Sequence, residues 1–204
     1  MNYSPDLNLP TPEDVQGSTD ILYDFPPGGR RVVGLGNDVV VKYGRNIDLD
    51  EARSVSFVAH NTSIPVPHIL GTYTHESIKY IIMTRLPGTP LSECLYSLNP
   101  EEFNTISEDM KTYLTELRSL RVENFEQRSY IGAVGFREVK DKMFRTVRKG
   151  RERGPLDTVS DFHNNIWERW EDATSQSKPN NYVHVIRLMY AERCNNQILF
   201  THGD

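Results

Sequence analysis

The sequence has few cysteines: only Cys94 and Cys194 among 204 residues. Two cysteines so far apart do not have the spacing of a zinc site and do not provide a disulfide framework. Sparse cysteine of this kind is typical of proteins in a reducing compartment. We therefore expect a cytoplasmic protein that binds no metal through cysteine.

Long apolar runs are also absent. No segment approaches the roughly 18 apolar residues that cross a bilayer, and the polar first ten residues lack the apolar stretch of a signal peptide. The net charge of −5 provides no positive excess for nucleic acid or for an anionic membrane surface. We expect neither as a partner.

One segment departs from this charge balance. Residues 137–153 contain eight Arg or Lys and three acidic residues. Such a segment could bind phosphate or nucleic acid, or it could be a solvated face. We favour the solvated face.

Runs of β-branched residues bounded by turn residues predict five strands in the first part of the chain. They cover 21–25, 31–35, 39–43, 69–74 and 78–84. Because Val39, Val40 and Val41 are continuous rather than alternating, we expect the third strand to be covered on both faces. A helix over 48–61 separates the third and fourth strands. Thr11 followed by Pro12 predicts a short helix ahead of the sheet.

The hydrophobic period changes after a hinge at Leu86-Pro87-Gly88. Apolar residues every three or four positions predict a helix of about five turns from Asn99 to Leu120. Weaker patterns predict helices near 159–170 and 182–190 and a short buried strand at 198–200. Strands first and helices second indicate an α+β protein with two lobes, and the cleft between lobes is a usual place for a ligand.

Four features follow one another in the order that a kinase requires. Lys42 ends a buried strand, Glu51 lies early in the next helix, the linker 83–88 joins the two halves, and His202-Gly203-Asp204 comes last. In kinases a strand lysine grips the nucleotide phosphates, a helix glutamate holds that lysine, and a loop aspartate receives the proton of the substrate hydroxyl.

On these residues the sequence resembles the aminoglycoside phosphotransferase and choline kinase-like family, especially its fungal members. The segments that carry the resemblance span nearly the whole chain. They are Leu9–Glu13, Val39–Gly44, Glu51–Ala52, Phe57–Ala59, Asn61–Pro67, Ile82–Met83, Leu86–Gly88, Tyr130–Gly132, Asp161–His163 and Phe200–Asp204.

The resemblance implies a protein kinase-like two-lobe fold of the α+β class. Residues 1–20 would be an N-terminal tail with a short helix. Residues 21–86 would be an N-lobe with a five-stranded antiparallel sheet and one helix. Residues 87–204 would be a partial helical C-lobe that ends at the catalytic loop.

The resemblance also implies a function, the ATP-dependent transfer of the γ-phosphoryl group to a hydroxyl of a small molecule. Asp204 would be the catalytic base and His202 would orient its loop. Lys42 would grip the phosphates of ATP. Glu51 would hold Lys42, although it could instead complete a capping box with Asp48. The neighbouring Asp50 is the alternative partner of the lysine if the helix begins earlier.

The remaining predicted contacts to ATP lie in the linker and in a glycine turn. The linker residues Met83, Thr84, Arg85 and Leu86 would offer backbone donors and acceptors to the adenine ring. Gly28 and Gly29, between the first two strands, are candidates for the turn that approaches the phosphates. This turn departs from the G-x-G-x-x-G pattern of protein kinases.

The family has an asparagine five residues after the catalytic aspartate and a metal-binding aspartate further on. The resemblance therefore implies that ATP acts with Mg²⁺, whose ligands we expect in a C-terminal segment beyond residue 204; we predict no metal ligand within the chain. We expect an incomplete phosphotransferase with little activity by itself. The alternatives are a catalytically dead, truncated kinase-like module that binds a nucleotide or a partner, and an unrelated α+β protein.

Overall fold

The computed structural model describes residues 9–25, 29–121, 129–139, 154–174 and 198–200. The chain divides into two compact units, Met1–Leu117 and Arg118–Asp204. The lobe boundary expected after residue 86 is a different division and stays a prediction. Among the described residues, no helix is both long and apolar enough to cross a membrane.

The first unit is built on one antiparallel sheet. Its strands are β1 (Ile21–Phe25), β2 (Arg30–Leu35), β3 (Val39–Gly44), β4 (Ile69–His75) and β5 (Ile78–Thr84), arranged in the order β1-β2-β3-β5-β4. The prediction of an α+β protein with a five-stranded antiparallel sheet is confirmed. Strand β3 is central, so that both its neighbours, β2 and β5, determine what surrounds its side chains.

One side of the sheet, called here the Lys42 face, follows from the cross-strand pairs. Residues directly opposite each other in a sheet point to the same side. This face therefore carries Val32, Gly34, Val40, Lys42, Ile81 and Met83. Helix α2 (Asp50–Asn61) packs against part of it through a cluster of Ala52, Ile47 and Ile81.

The opposite side, the Tyr80 face, holds the larger apolar core. Its buried members are Val15, Val33, Val41, Tyr43, Tyr80 and Ile82. The ring of Tyr80 stacks between those of Tyr43 and Tyr73, at centroid distances of 5.6 and 4.5 Å. Since Val40 and Val41 are buried on opposite sides of β3, the predicted coverage of this strand on both faces is confirmed.

A short helix, α1 (Pro12–Gln16), covers the Tyr80 face. Thr11 and Asp14 form a capping box: the Thr11 hydroxyl accepts from the Asp14 N–H, and the Asp14 carboxylate accepts from the Thr11 N–H. Two further hydrogen bonds tie this segment to the tyrosines. Gln16 Nε2 donates to Tyr80 Oη at 2.9 Å, and Tyr73 Oη donates to the Pro10 carbonyl at 2.8 Å.

After β5 the chain forms α3 (Leu91–Cys94), a 3₁₀ turn (Leu95–Ser97) and α4 (Pro100–Ser119). Asn99 caps α4, because its side-chain oxygen accepts from the N–H groups of Glu101 and Glu102. No residue of α4 is buried, and Phe103, Met110 and Leu114 are exposed. The predicted helix is confirmed.

In the second unit, α5 (Val159–Thr174) is capped by Thr158, whose hydroxyl accepts from the Asp161 N–H at 3.0 Å. Tyr130 and Leu156 are buried. The helix predicted near 182–190 lies outside the described residues, as do residues 140–153 of the basic segment. Residues 198–200 are irregular and Leu199 is 40% exposed, so the prediction of a buried strand there was wrong.

Candidate functional site

The most distinctive polar contact of the sheet joins Lys42 to Glu51. Lys42 Nζ lies 2.6 Å from both carboxylate oxygens of Glu51. The lysine comes from the central strand and the glutamate from the first turn of α2, so two rigid elements fix the pair. Their side chains remain 23% and 44% exposed, so the pair is not sealed from solvent.

The start of α2 decides between the partners that the sequence left open. The helix begins at Asp50, its cap residue Leu49 provides no side-chain hydrogen bond, and the Glu51 carboxylate is on Lys42. The Asp48 side chain instead accepts from the Asp50 N–H at 3.0 Å. Asp50 is buried and forms its ion pair with Arg53 at 2.5 Å.

The register of the strands divides the Lys42 face into three levels between the linker and the glycine turn. Gly34, Val40 and Met83 lie at one level, next to the end of β5 and the linker. Val32, Lys42 and Ile81 form the next level, two residues further along the strands. The third level has Arg30 and Gly44 and adjoins the turn between β1 and β2. Lys42 therefore lies midway between the linker and the glycine turn.

At the glycine-turn end, the backbones approach closely. Gly44 has φ +154°, and a Cβ on it would lie 1.9 Å from the Gly29 carbonyl oxygen, so only glycine fits. Gly29 itself has φ +57° and open space around it. Arg30 is exposed here, with its guanidinium 5.6 Å from the centre of the Phe25 ring. Sequence reasoning did not identify Arg30. Gly28 lies outside the described residues.

At the linker end, two of the four predicted backbone donors are already engaged. The Thr84 N–H donates to the His68 carbonyl at 2.9 Å, and the Arg85 N–H donates to the Asp38 carbonyl at 2.7 Å. Met83 lies within β5, opposite Val40 on one side and Ile69 on the other. Leu86 lies beyond the last strand residue and is exposed. The N–H of Leu86 is therefore the best placed of the four for a ligand.

The Arg85 side chain makes a contact that the sequence did not suggest. Its Nη1 donates to Asp20 Oδ2 at 2.6 Å and to the Gly36 carbonyl at 3.3 Å. Asp20 precedes β1, and 65 positions separate the two partners. No local pattern signals such a pair. The absence of a side chain at Gly34, beneath it, is the one sequence feature that could have drawn attention to it.

The predicted catalytic residues His202 and Asp204 lie outside the described residues, so their positions stay predictions. Among the residues that the structure does describe, no group of three or more His, Cys, Asp or Glu side chains could hold a metal ion.

No protein-family model and no curated protein matches the chain. One similar solved structure is a ternary complex of streptomycin, ATP and APH(2″)-IIa, at 15% identity and a TM-score of 0.49. The alignment covers 89% of this chain and 54% of that one. Another is monomeric WbdD, at 15% identity and a TM-score of 0.30, with 82% and 42% covered. The chain thus spans about half the length of these proteins or less.

Proposed function

We propose that the chain is a kinase-like, ATP-dependent phosphotransferase whose nucleotide binds on the Lys42 face. The observation that carries the proposal is the double contact of Lys42 Nζ with the Glu51 carboxylate, at 2.6 Å to each oxygen, on the central strand of the sheet. A lysine held in one direction by a carboxylate, yet still accessible, can place its ammonium against a phosphate.

An ordinary ion pair of this exposure contributes little to stability. Exposed pairs typically contribute about 0–1 kcal/mol, because water screens them and the side chains lose freedom. The Lys42–Glu51 pair is 23% and 44% exposed, and neither residue belongs to the apolar clusters on the two faces of the sheet. Because the ion pair contributes so little to stability, we propose that it serves ligand binding rather than folding.

The three levels of the Lys42 face give the proposed nucleotide an orientation. We propose that the base lies near Val40 and Met83, with the Leu86 N–H as its backbone donor, and that the phosphates extend past Lys42 toward Gly29. Arg30 is exposed at the phosphate end and offers a second cation. In this orientation the open turn at Gly29 lies beside the phosphates, which carry the negative charge of the ligand.

The transfer step is proposed from the family resemblance. Asp204 would accept the proton of an attacking hydroxyl on a small molecule, and His202 would orient the loop. Mg²⁺, when bound, would neutralise charge on the transferring phosphoryl group.

The proposal is tested by measuring ATP binding calorimetrically to the wild-type chain and to Lys42→Met. We expect wild-type binding and a loss of affinity of about tenfold or more in the variant, because a charge-assisted contact to phosphate disappears. Lys111→Met is the matched control, since Lys111 also pairs with a carboxylate but is 73% exposed on α4. Equal affinities of all three proteins, or no binding by the wild type, would refute the proposal.

A further inference from the structure

We infer that Arg85 and Asp20 form a latch that positions the base end of the nucleotide site; the inference rests on the proposed function. Arg85 follows β5 and Asp20 precedes β1, yet Arg85 Nη1 lies 2.6 Å from Asp20 Oδ2. The same nitrogen donates to the Gly36 carbonyl, and the Arg85 backbone N–H donates to the Asp38 carbonyl at 2.7 Å. One linker residue thus holds the β2–β3 turn and the entry to β1 together.

Asp20, the other residue of the latch, is held in place by backbone hydrogen bonds. The Asp20 carbonyl accepts from the Gly34 N–H at 2.8 Å, which continues the β1–β2 pairing by one residue. The Ser18 hydroxyl donates to the Gly34 carbonyl at 2.7 Å. The backbone of Asp20 is therefore fixed beside β2, at a position from which its carboxylate contacts Arg85.

The latch lies directly on the Lys42 face. A Cβ at Gly34 would lie 2.1 Å from Asp20 Oδ2 and 2.7 Å from Arg85 Nη1, distances that real Cβ atoms do not show. Gly34 is opposite Val40, one level from Lys42 toward the linker. The missing side chain at Gly34 leaves room for the ion pair at the level where the proposed base would lie.

The position of the latch fits a positioning role better than a stabilising one. Its side chains are 32% and 47% exposed, a range in which an ion pair adds little to the free energy of unfolding. It does fix the distance between the linker and the start of β1, which flank the proposed place of the base. Preorganising that distance lowers the cost of binding. Arg85 acts through the linker and is a positioning residue.

The test separates the base end of the site from its phosphate end, using the 204-residue chain with adenosine and with tripolyphosphate as probes. For Arg85→Met we expect adenosine and ATP to bind about five- to tenfold more weakly, with the affinity for tripolyphosphate unchanged. Gly34→Ala should act in the same direction, because its methyl group displaces the latch and removes no charge. Lys42→Met should show the reverse pattern and lose tripolyphosphate.

Glu108→Gln is the control, since it removes an exposed ion pair on α4. Asp20→Asn keeps the shape of the latch without its charge and should weaken adenosine binding even if Arg85→Met fails to fold. Unchanged adenosine affinity in folded Arg85→Met and Asp20→Asn, or equal weakening of both probes, would overturn the latch while the ATP site stands. If Lys42→Met leaves the binding of all probes unaltered, the proposed function fails, and the latch with it.

Discussion

Tyr73 shows how the sheet changes the chemistry of a single residue. Burial raises the pKa of its phenol from 10.0 to about 12, and the neighbouring Tyr80, Glu13 and Asp14 add to the shift. The hydroxyl also donates to the Pro10 carbonyl. The folded state therefore favours the neutral phenol, and with it the attachment of the N-terminal segment to the Tyr80 face.

This shift predicts an alkaline limit to stability. The contribution of the neutral phenol is fully present below pH 10, where both states keep the proton, and is lost as the pH rises through about 12. Tyr73→Phe should flatten the fall in the free energy of unfolding between these values, measured by urea denaturation. Tyr96→Phe is the control, because Tyr96 is 98% exposed. Identical slopes for Tyr73→Phe and the wild type would contradict the assignment.

At the same scale, the partners of individual charges show what the sequence could and could not predict. The contact between Lys42 and Glu51 was predicted, because a strand lysine followed by a glutamate early in the next helix is the order found in kinases. Whether Asp50 or Glu51 would contact the lysine depended on where α2 begins, which a one-residue shift decides. The pair of Arg85 and Asp20 has no local signal, since it forms only when β5 and the entry to β1 meet across the sheet.

Strand β5 and helix α4 differ most in how deeply their residues are buried. Strand β5 has three consecutive buried residues, Tyr80, Ile81 and Ile82, which serve both faces of the sheet. Helix α4 has the longer and clearer hydrophobic pattern, yet none of its residues is buried. The sequence predicted both elements correctly because periodicity reports local structure. It does not report how deeply an element is covered in the described structure.

This contrast predicts different costs for truncating apolar side chains. Ile82→Ala should lower the free energy of unfolding by about 2–5 kcal/mol, since Ile82 is almost fully buried and the change leaves a cavity. Phe103→Ala on α4 should change it by less than about 0.5 kcal/mol, because Phe103 is 52% exposed. Urea denaturation of both variants measures the difference. Comparable losses would show that α4 is packed more tightly than its exposure indicates.

For the whole molecule, the sequence predicted the fold class, the five strands and their antiparallel sheet. β-branched runs and turn residues define strands, and a two-residue turn at Glu76-Ser77, with both φ angles positive, closes the β4–β5 hairpin. The short apolar run at 198–200 was misread as a buried strand, because such a run does not by itself establish a sheet partner. The predicted catalytic end, His202 and Asp204, lies outside the described residues.

The proposed placement of the ATP phosphates against Lys42 can be tested with an acyl-phosphate derivative of ATP. Such a reagent acylates the lysine next to its phosphates, and mass spectrometry of the digested chain identifies the modified residue. We predict that Lys42 is acylated, that excess ATP prevents this, and that Lys79 and Lys111 react no faster with the reagent than with a simple acyl phosphate. Acylation of Lys42 that ATP does not suppress, or preferential acylation of another lysine, would show that the phosphates do not lie against Lys42.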